Sequence, residues 1–106
     1  MKPNYPVIRG EILKILYSAH PDWCNIKLIQ FTLDDLGYVV SEEAIASELH
    51  YLTEKIDKVR PLVELQEKQI PGRKQKMLLA KITAWGIDLI ENRLEIPDAD
   101  KNWIVL

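Results

Sequence analysis

The sequence predicts an α+β, mostly helical fold: three short helices, a two-stranded hairpin and a further helix. Three observations carry this expectation. Apolar residues recur at helical spacing three times before residue 57, the period then shifts to two, and a Pro-Gly pair splits the period-two region. A hairpin alone is only marginally stable and three short helices leave apolar stripes uncovered, so each supplies what the other lacks.

The first helix is expected over "VIRGEILKILYSAH", from Val7 to His20. Ile8, Ile12, Ile15, Leu16 and Ala19 lie on one face, with Arg9, Glu11, Lys14 and Ser18 on the other. Pro3 and Pro6 mark the lead-in and Pro21 the stop. A second helix follows, with Asn25 as its N-cap, Ile29, Leu33 and Leu36 inward, and Gly37 as the left-handed residue that ends it. Ser41 caps a third helix whose first turn carries Glu42 and Glu43, favoured at the positive end of the dipole. Its apolar stripe is Ile45, Leu49, Leu52 and Ile56. The other face shows Glu43, Ser47, His50 and Glu54, with Glu42 and Ala46 beside it.

In "VRPLVELQE" the alternation places Val59, Pro61, Val63 and Leu65 on one side and Arg60, Leu62, Glu64 and Gln66 on the other. Pro61 cannot donate to a ladder, which predicts an edge strand. Pro71-Gly72 fits the centre of a type II turn, and "KQKMLLAKI" is the return strand. Thr83 is the expected N-cap of "AWGIDLIENRL", with Ile87, Ile90 and Leu94 inward and Pro97 ending it. One domain over residues 1–106 is expected, with a core of about 7–94 and a tail over 95–106.

The 106 residues carry a formal net charge of -2, unevenly placed. Residues 54–81 sum to +4, and the segments on either side sum to -3 each. From Lys68 to Lys81 there are five cations and no acid. No stretch approaches the roughly 20 apolar residues that span a bilayer, and the first residues lack a signal-peptide pattern, so a cytoplasmic location without membrane contact is expected. Cys24, the single cysteine, is expected as a small buried hydrophobe. His20, Cys24 and His50 do not have zinc-site spacing, and no metal or cofactor is expected. Nor is an enzyme: there is no phosphate loop, nucleophile elbow or acid/base grouping, and the neighbouring pairs Asp34-Asp35 and Glu42-Glu43 do not face each other. Trp23, Trp85 and Trp103 are expected as core or tail anchors.

"LGYVVSEEAIASELHYLTEK" resembles the second-to-third helix segment of winged helix-turn-helix regulators. "LLAKITAWGIDLIEN" is similar to the strand-to-helix step of PadR-like and MarR-like proteins, with Ile82-Thr83 and Gly86 to Ile90 matching. The resemblance spans about residues 7 to 94. The whole sequence is also similar to small winged-helix proteins of Mu-like prophages. These resemblances imply a DNA-binding protein, a transcriptional regulator or phage-associated accessory protein. The third helix would enter the major groove through Ser41, Glu42, Ser47, His50, Tyr51 and Lys55, and the wing would hold phosphates with Lys68, Arg73, Lys74 and Lys76.

The third helix departs from that pattern. It presents Glu42, Glu43, Glu48 and Glu54, with Lys55 as its only full cation, whereas base-reading helices more often offer Arg, Lys, Asn or Gln. The alternative expectation is a winged-helix protein–protein interaction module that binds no DNA and takes a basic partner on the acidic helix. The apolar end, Trp103 to Leu106, either packs back on the domain or joins a homodimer or protein partner.

Overall fold

The computed structural model describes residues 4–54, 60–94 and 104–106. Its element order is α1 (Tyr5–Ala19), β1 (Cys24–Asn25), α2 (Ile26–Asp35), α3 (Glu42–Glu54), β2 (Val63–Gln69), β3 (Lys76–Ile82) and α4 (Ala84–Ile90). The expected α+β class holds, with four helices and one antiparallel sheet among the described residues. The sheet runs β1-β3-β2. β2 is an edge, as Pro61 led us to expect.

α1 starts two residues before Val7, because Pro6 sits in its first turn, where a missing N–H costs no helical bond. Ile8, Ile12 and Leu16 are buried as their spacing demands, and Leu13 joins them. In α2, Asn25 is the N-cap: its side chain accepts from the Leu28 N–H at 2.9 Å. Ile29 and Leu33 are fully buried, but Leu36, expected inward, is exposed at the C-cap. Gly37, at φ 91°, turns the chain out of the helix. The Ser41 hydroxyl caps α3 by accepting from the Ala44 N–H at 3.1 Å. Ile45, Leu49 and Leu52 form its buried stripe; Lys55, Ile56 and Val59 fall outside the described residues.

β1 has no counterpart in the sequence reading. Its two residues pair with β3, Cys24 opposite Ala80 and Asn25 opposite Leu79. These two cross-strand pairs tie the α1–α2 connection to the hairpin, and Cys24 is buried as expected. β2 and β3 pair from Val63–Ile82 to Gln69–Lys76. Between them Arg73 N–H donates to the Ile70 carbonyl at 3.1 Å, and Gly72 has φ 78°, the geometry of the expected Pro71-Gly72 turn.

Leu62 corrects the alternation. The alternation puts it on the outer side with Glu64, yet it is buried, because the strand begins only at Val63. Its N–H donates to Leu52 O at 3.2 Å and its carbonyl accepts from Thr83 N–H at 3.1 Å, so backbone bonds on both sides hold it inward. Thr83 caps α4 as expected, accepting from Gly86 N–H at 3.1 Å while its hydroxyl donates to Pro61 O at 2.6 Å. α4 stops at Ile90 rather than Leu94, because Asn92 takes the left-handed conformation at φ 60°. Ile87, Ile90 and Leu94 nevertheless pack against the core.

Trp23 and Trp85 are not the core anchors expected of them: both are substantially exposed, and Trp23 lies under the Lys81 ammonium at 5.8 Å. Pro97 and Trp103 lie outside the described residues. At the C-terminal end Ile104 packs on the core, and Val105 N–H donates to Pro6 O at 2.9 Å. The last residues thus lie along the start of α1.

Candidate nucleic-acid interface

The hairpin tip is built by backbone geometry and filled with cations. β2 ends at Gln69, whose side-chain amide donates to Arg73 O at 2.5 Å and closes the loop. Lys68, Arg73, Lys74 and Lys76 are all exposed. Lys76 is partly neutralised, since Glu67 on the neighbouring strand lies 3.7 Å from its ammonium. Lys68, Arg73 and Lys74 have no ion-pair partner among the described residues. Lys81, the fifth cation of the run, stands at the far end of β3 over Trp23 and does not belong to the tip.

The α3 residues fall into three groups. Ser47 and His50 are exposed, on one ridge with Glu43 and Glu54 at spacings of four, three and four. Ser41 and Tyr51 are committed to the fold: Ser41 caps the helix, and the Tyr51 ring carries the Arg9 guanidinium 4.0 Å above its centre. Glu48, expected on the presented face, is instead buried, and its carboxylate accepts from Arg9 Nε at 2.5 Å. Lys55 falls outside the described residues. The ridge open to a ligand therefore bears two carboxylates and no cation.

Between these two surfaces lies a cleft of about 480 Å³. Glu42 and Glu43 from α3 form one wall and Arg73 and Lys76 from the hairpin the other. Sequence reasoning named Glu42, Arg73 and Lys76 as site residues; the further polar residues of the lining are Asn25, Lys27, Glu43 and Gln75. The β1–β3 pairing is what carries Asn25 and Lys27 to the hairpin, and two residues are too few to read as a strand from sequence. Lys68, Lys74, Ser47 and His50 lie outside the cleft lining.

Chemically, the tip attracts anions: three unpaired cations at the end of a hairpin can neutralise phosphate oxygens. The α3 ridge accepts hydrogen bonds, with carboxylates suited to a cytosine amino group or to Lys and Arg of a protein. Compared with known proteins, no family model matches this chain and no curated protein matches it. Among the described residues no helix is long and apolar enough to cross a membrane.

Proposed function

We propose that this chain is a winged-helix protein that binds duplex DNA, with the hairpin as the wing on the phosphate backbone and α3 toward the major groove. The observation that carries the reading is the cluster of exposed, unpaired Lys68, Arg73 and Lys74 at the hairpin tip. The order of elements supports it: a helix–turn–helix pair precedes a hairpin whose inner strand also pairs with the α1–α2 connection. Binding is dominated by the backbone, because each neutralised phosphate releases condensed counterions whatever the sequence. Base readout is weak, since Glu43 and Glu54 repel phosphates on either side of the groove. The role is that of a regulator or accessory protein in which non-specific affinity comes first.

The test is fluorescence anisotropy of a random-sequence duplex titrated across salt concentrations. Three phosphate contacts predict a slope of about -2.7 in log affinity against log salt. The Lys68→Ala/Arg73→Ala/Lys74→Ala variant flattens that slope toward zero. Absence of binding at low salt would sink the reading.

A second reading is favoured by the acidic α3 ridge itself. As a protein-docking module, Glu43 and Glu54 would receive a basic segment of a partner, with Ser47 and His50 between them. Retention of the wild-type chain, but not of Glu43→Gln/Glu54→Gln, on an immobilised lysine-rich peptide would favour it over DNA.

A further inference from the structure

Three features lie away from the hairpin tip and the α3 ridge: the C-terminal end on α1, the buried Arg9–Glu48 pair, and the outer face of α2, whose Lys27 also lines the cleft. The ion pair is satisfied within the chain, and the C-terminal end is held to α1 by the Val105 N–H with Val105 and Leu106 half-exposed. The outer face of α2 carries the most exposed aromatic side chain among the described residues. Phe31 is 66% exposed and Leu28 51% exposed on a helix whose opposite side is fully buried. A large aromatic side chain held in water at the middle of an ordered helix costs free energy that a partner would recover.

The charges around Phe31 say which partner. Lys27 stands four residues before it and Asp35 four residues after, so the three form one ridge. Lys27 and Asp35 are exposed and have no ion-pair partner among the described residues. If two copies of α2 are laid antiparallel about a two-fold axis through Phe31, each Lys27 falls opposite the other copy's Asp35. Both ends of the seam then pair opposite charges, and the rings meet at its centre. A parallel arrangement would set Lys27 against Lys27 and Asp35 against Asp35. The ridge is thus complementary to itself in one orientation only, as an isologous contact requires.

We propose that the outer face of α2 is a homodimer surface, formed by antiparallel packing of Lys27, Phe31 and Asp35 on the same residues of a second copy. Leu28 and Asp34 flank the seam, Leu28 on the side of the groove between α1 and α2, which it lines with Ile15 and Leu36. The helix is ten residues long, about 15 Å, so the contact is small and the dimer weak. None of its residues belongs to the wing, although Lys27 also lines the cleft beside Arg73 and Lys76, and the inference does not rest on DNA binding.

The experiment is sedimentation velocity of the full chain over a range of concentrations, without nucleic acid. The wild type shows a concentration-dependent monomer–dimer equilibrium, which the triple wing variant keeps. Phe31→Ser abolishes it. Lys27→Asp and Asp35→Lys each weaken it about tenfold, because each replaces two attractive pairs by two repulsive ones. The double variant Lys27→Asp/Asp35→Lys restores the dimer, and an equimolar mixture of the two single variants forms a heterodimer. Lys27, Phe31 and Asp35 are all on the surface, and unchanged thermal melts confirm that the variants fold. A wild-type chain monomeric at every concentration overturns the proposal. So does a dimer that survives Phe31→Ser and both charge reversals, since the contact then lies elsewhere.

Discussion

Glu48 occupies a helix position that its spacing assigns to the core, three residues after Ile45 and four before Leu52. Its charge argued for the surface, and the position won because Arg9 on α1 meets it. The pair is largely buried, with side-chain exposures of 14% for Arg9 and 9% for Glu48. The Tyr51 ring covers the guanidinium from the other side. Removing one partner leaves a largely buried charge, so Glu48→Ala should lower stability by about 3 kcal/mol in urea unfolding. Glu48→Gln, which keeps an acceptor for Arg9, should cost less. Cys24 makes a second residue-scale expectation. Burial first, and the Asp22 carboxylate second, push its thiol above its ordinary value of 9.0. The native thiol should therefore react with iodoacetamide far more slowly than the unfolded one. Because the folded chain holds this proton more tightly, its contribution to stability is complete below the unfolded thiol's pKa. It is lost as the pH rises from there through the higher native value. Melting temperature should fall over that alkaline window, and Cys24→Ser should remove that part of the fall.

Among the elements, α4 depends on one hydroxyl and one absent side chain. Thr83 both caps the helix and bonds Pro61 O, so Thr83→Val, equal in shape and lacking both bonds, should cost about 2 kcal/mol. At Gly86 an added Cβ would stand 2.5 Å from Leu62 O and 2.6 Å from Ile82 Cγ1. Gly86→Ala must therefore push α4 off the hairpin, and a loss of stability at least as large as that of Thr83→Val is expected in the same unfolding series. Caps, turns and stripes were legible in the sequence because each is local: Asn25, Ser41, Thr83 and Pro71-Gly72 act within four residues of themselves. What was not legible depends on distant chain. Cys24 and Asn25 form a strand only because β3 lies beside them, and Leu62 turns inward only because Leu52 and Thr83 bond its backbone. α4 ends early at Asn92, a residue whose left-handed conformation its sequence context did not announce. The candidate site divides in the same way. The cations of the tip could be read off the sequence, whereas the burial of Glu48, the use of Tyr51 and the pairing of Lys76 are tertiary.

For the molecule as a whole, the uneven charge along the sequence becomes two exposed surfaces of opposite sign, of which Arg73 and Glu43 reach the cleft between them. Lys68, Arg73 and Lys74 would attract a polyanion, and Glu43 and Glu54 on α3 would repel it. Both sets are exposed, so their effects are those of a screened field acting within about 8 Å at physiological salt. Neutralising the acids separates the two readings of the function. If the chain lies on DNA with α3 in the groove, Glu43→Gln/Glu54→Gln removes two repulsions. Duplex affinity at low salt should then rise several-fold, because each relieved charge is worth some fraction of the roughly 1 kcal/mol typical of exposed pairs. The salt slope should stay the same, since the number of phosphates neutralised by the wing has not changed. If the acidic ridge is instead the binding surface for a basic protein, the same variant gains nothing on DNA and loses the lysine-rich peptide. Anisotropy with both probes, on wild type and variant together, reads these opposite outcomes from one pair of proteins. A base contact through either carboxylate would give a third pattern, a rise on random duplex with a fall on one cytosine-containing sequence. That pattern would assign α3 a reading role despite its charge.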